Sequence, residues 1–281
     1  MLPNSKNEAA DLATKALFLY KRNENIARRQ NALERINFYR GNQMQYLEDT
    51  LKKRFSPDAI KNMQPEFFNI TEMVINELAT IYNDEPTREL IDGTDQDKEI
   101  YNEIIESSQI NAFMRAANQY SKLCKTCLVH PVWRNGVMKY DLITPEVVDV
   151  VQSAYSPTEA EAVIYSVAYD DTNPQYDKFT ANGIDTMALT GNVYVYWDKK
   201  KSILFSYESK NNADIADIRK QLGNPDDKNP YGVLPFTVLR DTYEFKTFFT
   251  ESGDDLVATN KIINEKLTEL NYITFLQSFS V

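Results

Sequence analysis

Apolar residues recur at helical spacing over most of the first 125 positions of the chain. No Pro or Gly interrupts residues 5–39, and their apolar positions approximate one helix face that should stop at Gly41. A second short helix is predicted over 42–55, and Pro at the first position of the turn at 56–58 restarts a helix. Residues 66–83 carry the widest apolar face, which predicts the most buried helix of the chain.

The next segment contains a short strand and a signal for the start of a helix. Residues 87–91 are predicted to be the strand. Thr94 is followed three residues later by Asp97, which resembles a capping box with Asp in place of Glu. Two helices should follow, over 95–107 and 109–123.

From residue 126 the pattern changes to β-branched and aromatic runs that predict strands. Asn135-Gly136 is a strong signal for a two-residue hairpin between strands at 126–133 and 137–143. Further strands are predicted over 147–151, 162–169, 192–197, 202–207 and 235–239. The polar segments 170–190 and 208–231 are predicted to be loops, the second with marginal helix character.

Residues 254–278 are predicted to form a long helix. Leu256, Ile263, Leu267 and Leu270 keep a spacing of seven, four and three, which is typical of a packed helix seam. The sequence therefore predicts an α+β protein: a helical N-terminal region, a central and mostly antiparallel β-rich region, and a long C-terminal helix. Because residues 279–281 are aromatic and β-branched, we expect more protein to follow in the natural gene product, which intact-mass analysis would check.

Composition and charge narrow the class of protein. No run of about 18 apolar residues is present, so no membrane span is predicted, and the polar N-terminus has no signal-peptide core. Residues 1–40 contain eight Lys/Arg against four acids, a net charge of +4 that leaves −14 for the rest of a chain whose total is −10. Tight nucleic-acid binding by the acidic part is not expected, because such binding needs cations that neutralise phosphates.

The basic N-terminal segment admits two interpretations. Aromatic residues stand near its basic positions, so it could contact DNA. An amphipathic helix with a solvated basic face is the favoured interpretation.

Cys124, Cys127 and His130 have a spacing that suggests zinc. A structural zinc site usually has four Cys or His ligands, and the chain contains only these three residues of those types. Free cysteines are frequently buried as small apolar residues. Two plain core cysteines are therefore predicted, with no metal.

Four acids, Asp95, Asp97, Glu99 and Glu106, fall at positions one, three, five and twelve of a calcium loop. Position six, which should be Gly for the sharp turn, is Ile100. An acidic helix start is the favoured interpretation. Phosphate-binding and nucleophile-elbow motifs are absent from the sequence. We predict no enzymatic activity, no catalytic residue and no cofactor.

Four segments, in order, resemble the N-terminal half of bacteriophage portal proteins, the head-tail connectors of the virion. They are Asn37–Gln43, Asn69–Tyr82, Asn229–Phe236, and Gly253–Leu256 with Ile263–Leu267. They are similar to the family's early "YYrGn" stretch, its buried helix, its "NpyG.lPfv" turn, and the start of its long stem helix. The family's clip, second stem helix and crown have no counterpart in these residues.

The resemblance implies a non-enzymatic structural subunit. Residues 1–60 would be an N-terminal helical arm, 61–250 an α+β wing domain and 251–281 the start of the stem helix. The subunits would form a homododecameric ring at one capsid vertex, assembled in the bacterial host cytoplasm. Double-stranded DNA would pass through its channel, without sequence specificity, during genome packaging and ejection. Terminase, head-completion or adaptor proteins, and the major capsid and scaffolding proteins would be its partners.

The candidate functional residues are charged side chains that would contact a neighbouring subunit or face the channel. In the N-terminal helix they are Arg28 and Arg29. In the C-terminal helix they are Asp254, Asp255, Lys261, Glu265, Lys266 and Glu269.

Two alternatives remain open. Another structural or adaptor protein of the phage neck would share this composition without a channel. A nucleic-acid-processing enzyme whose carboxylates hold Mg²⁺ would also fit an acidic chain, since Mg²⁺ prefers oxygen ligands.

Overall fold

The computed structural model describes residues 15, 18–134, 136–167, 193–206, 228–243, 245–250 and 254–278. These residues form helices and antiparallel strand pairs, with a long helix near the C-terminus, which confirms the mixed helix-and-sheet class. Two compact units can be distinguished, and each is built from segments that are separate in sequence. The first unit comprises residues 1–29, 145–237 and 243–249, and the second comprises 30–144, 238–242 and 250–281. The predicted division into arm, wing and stem stays a prediction.

The helices lie mostly in the first half of the chain. They are α1 (Asn23–Tyr39), α2 (Met44–Arg54), α3 (Pro57–Asn62), α4 (Ile70–Leu78), α5 (Asp95–Ser108), α6 (Ile110–Cys124) and α7 (Asp254–Ser278). The boundaries of α2, α5, α6 and α7 lie within two residues of those predicted from the sequence.

The strands form two sheets. They are β1 (Thr126–Arg134), β2 (Val137–Ile143), β3 (Val148–Gln152), β4 (Ala160–Val167), β5 (Val193–Asp198), β6 (Ser202–Ser206) and β7 (Thr237–Arg240). A three-stranded sheet has the order β2-β1-β7, and a four-stranded sheet has the order β3-β4-β5-β6. The predicted loop at 170–190 and residues 208–227 of the loop predicted at 208–231 lie outside the described residues.

Local sequence signals explain several boundaries. The predicted hairpin forms with Arg134 opposite Val137, and Gly136 takes a positive φ of 76°, which glycine adopts without strain. The capping box at α5 is confirmed: the Thr94 hydroxyl accepts from the Asp97 amide, and the Asp97 carboxylate accepts from the Thr94 amide. The Thr94 hydroxyl also donates to the Asp97 carboxylate at 2.6 Å. This bond, with the one from the Thr94 amide, holds the pKa of Asp97 below its usual range.

Gly41 ends α1 as predicted. The Asn42 amide donates to the Asn37 carbonyl and the Gly41 amide donates to the Phe38 carbonyl, which is the bonding pattern of a Schellman motif. Gly41 has a φ of 80°, a conformation that favours glycine.

The prediction of one helix over residues 5–39 is wrong at residues 21–22, where the helix is interrupted before α1. The Asn25 side chain donates to the Leu19 carbonyl at 2.8 Å, and the Arg29 guanidinium donates to the Tyr20 carbonyl at 2.7 Å. Because side chains satisfy these carbonyls, the preceding turn can end there. Residues 5–14 lie outside the described part of the chain.

The prediction of a long buried helix over 66–83 is also wrong. The helix covers Ile70–Leu78, and Met73, Leu78 and Ile81 are more than half exposed. Residues 87–91 do not form the predicted strand. The wide apolar face of this segment includes exposed residues as well as buried ones. Burial was therefore overestimated when it was inferred from periodicity.

Each unit has its own apolar cluster. In the first unit the cluster lies on the four-stranded sheet and consists of Tyr20, Ala162, Ile164, Tyr194, Tyr196 and Ile203. In the second unit the main cluster consists of Ile36, Ile75, Leu123, Cys124 and Cys127.

The end of β7 is held by an ionic contact in the second unit. The Asp241 carboxylate accepts hydrogen bonds from Lys122 at 2.5 Å and Lys125 at 2.8 Å. Partial burial alone would raise the pKa of Asp241, but the two lysines outweigh it and hold that pKa below its usual range.

Candidate functional site

The buried face of α7 is largely polar, and the predicted apolar seam forms only in part. Leu256 packs against the apolar cluster of the second unit and Leu267 is half-buried, but the other two seam residues are exposed. Leu270 is 60% exposed and Ile263 is 39% exposed. The side of α7 that is buried in the second unit instead carries Val257, Asn260, Asn264, Glu265 and Thr268. Three of these residues, Asn260, Asn264 and Thr268, are spaced by four and therefore lie on one face of the helix.

The three polar residues bind the backbone of an extended segment that leads into α4. Thr268 contacts both the amide and the carbonyl of Glu66, at 3.1 and 3.2 Å. The Phe68 amide donates to Asn264 at 2.9 Å, and the Phe68 carbonyl accepts from Asn260 at 2.8 Å. The amide and hydroxyl of Thr71 both donate to the Asn260 carbonyl oxygen, at 3.0 and 2.9 Å.

The spacing of the two elements explains why the side chains fit. Four residues of α-helix advance about 6.0 Å along the axis. Two residues of extended chain advance about 6.6 Å. Thr268 and Asn264 can therefore bond to Glu66 and Phe68 with little adjustment. The helix side chains supply the hydrogen bonds that a neighbouring strand would otherwise provide.

A buried amide network joins α7 to two other parts of the second unit. Gln43 is fully buried; its amide nitrogen donates to Asn69 at 2.8 Å, and its carbonyl oxygen accepts from Asn264 at 2.6 Å. Asn69 also donates to the Tyr39 carbonyl at 3.0 Å. We call Gln43, Asn69 and Asn264 the amide network. Each residue comes from a different one of the four segments quoted above.

The remaining segment, Asn229–Phe236, lies in the first unit and secures the β5–β6 turn. The Asn229 side chain donates to the carbonyls of Asp198 and Val233, each at 2.7 Å. The rings of Tyr231 and Phe236 contact Trp197, with centroids 6.4 and 6.2 Å away.

The predicted charged residues of α7 are used mainly within the second unit. Asp254 pairs with Arg35 at 2.8 Å while its own side chain stays 61% exposed. Lys261 pairs with Glu34, and the buried Glu265 pairs with Arg54. Lys266 and Glu269 pair with each other at 2.6 Å. Asp255 is exposed and its carboxylate accepts from the Leu256 amide. Whether any of them contacts a neighbouring subunit or a channel stays a prediction.

Arg28 and Arg29 are buried in the first unit. Arg29 pairs with Asp149 at 2.9 Å and lies over the Tyr20 ring. Arg28 donates to the carbonyls of Pro145 and Val148 at 3.0 and 2.7 Å and lies 3.4 Å from Asp149. Burial lowers the pKa of Arg28 despite the nearby carboxylate, and burial raises the pKa of Asp149 despite the two arginines. Their predicted role in subunit contact stays a prediction.

The residues considered for metals lie in ordinary structural positions. Cys124 and Cys127 are buried in the apolar cluster of the second unit, as predicted for core cysteines. The four acids of the calcium spacing lie on the first turns and body of α5, which confirms the helical interpretation. Over the described ranges, no group of three or more His, Cys, Asp or Glu side chains is arranged to hold a metal ion.

The polar face of α7 and the amide network that includes its Asn264 were not predicted from the sequence. The one signal for that face was the spacing of Asn260, Asn264 and Thr268, three uncharged hydrogen-bonding residues at i, i+4 and i+8 of a predicted helix. Amide and hydroxyl side chains donate and accept hydrogen bonds without titrating near neutral pH. The network can therefore position α7 but supplies no acid or base.

Comparison with known proteins identifies no family for this chain. No protein-family model matches the chain, and no curated protein matches it significantly. Among the described helices, none combines the length and apolarity needed to cross a membrane.

Proposed function

We propose that this chain is a structural subunit of a bacteriophage portal ring, which forms the channel for DNA packaging and ejection at one capsid vertex. The observation that supports the proposal most is the amide network. Gln43, Asn69 and Asn264 belong to three separate segments that resemble the portal family, and they meet in one hydrogen-bonded set.

Further support comes from α7, which corresponds to the proposed stem helix. It runs unbroken for 25 residues, or about 37 Å. Its polar face is attached within the second unit, while Ile262, Leu270 and Ile273 are at least half exposed. Exposed apolar residues on a long attached helix suit contact with another protein surface, which in a ring is the neighbouring copy.

The net charge of −10 suits the proposed channel. An acidic subunit repels phosphates and releases few counterions from DNA, so a duplex can slide without being held. Terminase, head-completion, scaffolding and major capsid proteins are the partners that this proposal implies.

Imaging of the purified natural protein in negative stain, with native mass measured in parallel, tests the proposal. Closed rings of about a dozen subunits around an axial hole are the expected result. Protein that stays monomeric and forms no closed ring, even with scaffolding protein present, would instead favour an adaptor protein of the phage neck. Mg²⁺-dependent cleavage of DNA by the pure protein would favour the nuclease alternative.

A substitution in the full chain links the ring to α7. Asn260→Leu with Asn264→Leu removes the side chains that hold the helix to residues 66–71, so we expect fewer closed rings at equal protein concentration. Asn271→Leu is the matched control, because Asn271 lies on the same helix and its side chain makes no hydrogen bond among the described residues. Equal ring yields for both variants would show that ring assembly does not need these contacts of α7.

A further inference from the structure

Four lysines meet at one end of the four-stranded sheet in the first unit. Lys199, Lys200 and Lys201 follow β5 in its turn to β6, and the backbone of Lys201 bridges that of Lys228. We call these four residues the lysine turn. Within the described residues Lys199, Lys200 and Lys228 are exposed and form no ion pair. This cluster of cations stands out in a chain with a net charge of −10.

Hydrogen bonds fix the backbone of the lysine turn. The Asp198 carboxylate accepts from the amides of Lys200 and Lys201 at 2.6 and 2.7 Å. The Asn229 amide donates to the Lys200 carbonyl at 2.9 Å. A partner would therefore meet an ordered backbone and would have to order only the lysine side chains.

The second unit carries a complementary surface on α5. Asp95, Glu99, Glu103 and Glu106 lie within about 80° of one another around the helix at 3.6 residues per turn. We call them the acidic stripe. All four are exposed, and over the described ranges none pairs with a cation. Acids spaced by four on a helix repel one another, so the stripe weakens its own helix by about 0.2–0.5 kcal/mol per pair.

We propose that the lysine turn of one copy binds the acidic stripe of the next copy. Two different surfaces that complement each other form a heterologous contact, which is the kind that closes a ring. This inference rests on the proposed function, because it needs copies that assemble. A second copy is the favoured partner over DNA. The exposed lysines of the lysine turn are complementary in charge to the exposed carboxylates of the acidic stripe, whereas the acidic remainder of the chain repels phosphates.

Charge reversal on each surface tests the contact. Lys199→Glu with Lys200→Glu reverses two of the four charges of the lysine turn and takes its net charge from +4 to 0. Glu99→Lys with Glu103→Lys likewise takes the acidic stripe from −4 to 0. Lys228 is left unchanged, because Asp226 and Asp227 beside it lie outside the described residues. Each variant alone should raise the protein concentration needed for half-maximal assembly by about tenfold, as expected for a few exposed ion pairs turned repulsive.

An equimolar mixture of the two variants is the decisive sample. In a contact between the two mutated surfaces, the substituted positions again carry opposite charges with their signs exchanged. Alternating rings should therefore form at nearly the wild-type concentration. Lys52→Glu with Lys53→Glu is a control that makes the same charge change on α2, where Lys52 has only an exposed ion pair with Glu48 at 3.5 Å. It should leave assembly unchanged. Far-UV circular dichroism of each variant checks that it is folded.

Four results overturn the inference. If both variants assembled at the wild-type protein concentration, the proposed contact would be rejected, whereas the proposed ring would not. Failure of the mixture to recover would show that the two surfaces do not pair between copies. If the variant Lys199→Glu with Lys200→Glu assembled normally but bound DNA more weakly than wild type, the lysine turn would be a nucleic-acid contact. Wild-type copies that never associate, even with scaffolding protein, would overturn both this inference and the proposed function.

Discussion

Polar side chains fasten the start of α1 in the first unit and the buried face of α7 in the second, but with different chemistry. The start of α1 is held by Arg28 and Arg29, which meet the buried Asp149. In contrast, α7 is held to residues 66–71 by the neutral groups of Asn260 and Asn264, in addition to its ion pairs elsewhere in the unit. Charges attract over a distance and tolerate changes of angle, whereas amide hydrogen bonds need close and directed partners. The first kind therefore tethers a helix, and the second also fixes its register.

The largest expected effect is loss of the buried carboxylate. Asp149→Asn leaves two guanidinium groups buried without their counter-charge, which should lower the free energy of unfolding of the first unit by about 3–5 kcal/mol. Urea denaturation followed by Trp197 fluorescence measures it, because Trp197 lies in the first unit and Trp133→Phe removes the other tryptophan. Glu48→Gln, in the Glu48–Lys52 pair whose two side chains are both exposed, should cost less than about 1 kcal/mol, measured as loss of helical circular dichroism in urea. Equal losses would contradict the distinction between buried and exposed pairs.

The free energy of unfolding should depend nearly as strongly on the neutral hydrogen bonds of Asn264. Asn264→Leu leaves the Phe68 amide and the Gln43 carbonyl oxygen without their partner, at about 1–3 kcal/mol for each group. We expect a loss of about 2–4 kcal/mol for the second unit, measured as loss of helical circular dichroism in urea. Asn271→Leu should change stability by less than about 0.5 kcal/mol. A loss that small for Asn264→Leu would mean that water replaces the amide.

A double-mutant cycle sharpens the comparison. Gln43→Leu and Asn264→Leu each remove one side of the same hydrogen bond, so the double variant should lose less stability than the sum of the single variants. The expected coupling is about 0.5–3 kcal/mol. Gln43→Leu combined with Asn271→Leu should be additive within about 0.5 kcal/mol. Additivity in both cycles would show that the amide network does not act as a unit.

The smallest effect concerns an ionic contact of the second unit and depends on pH. Because the folded-state pKa of Asp241 is lowered, its contribution is present above the unfolded value of about 3.9 and is lost as pH falls through the folded pKa. Asp241→Asn should therefore cost about 1 kcal/mol or less at pH 7, and the difference from wild type should shrink below about pH 4. The loss caused by Asn264→Leu should not follow this titration, since amides do not ionise there.

The same contrast explains what the sequence could predict. Turn and cap chemistry is local, so Thr94, Asp97, Gly41 and the hairpin at Gly136 were identified from their immediate neighbours. The α+β class followed from clustered strand patterns between helical ones. The interruption before α1 was missed, because it depends on where the Asn25 and Arg29 side chains turn in space.

The orientation of α7 was missed for another reason. Periodicity assumes that the buried side of a helix is apolar, which directed attention to Leu270 instead of Asn264. The partner of α7 is exposed backbone of residues 66–71, which demands hydrogen bonds that an apolar side chain cannot supply. A buried face of this kind is visible in a sequence only when the partner segment is already known.

The regular spacing of Asn260, Asn264 and Thr268 also governs how α7 can move along its partner. A slide of half a turn, about 2.7 Å, would break every one of these hydrogen bonds at once. A slide of four residues, about 6 Å, would bring Asn264 to the place of Asn260 and Thr268 to the place of Asn264. Tyr272 would then take the place of Thr268, and Thr268 would have to replace both bonds of Asn264, so the shifted position is not equivalent to the native one. The same spacing that lets α7 follow its partner therefore also selects a single axial position for it.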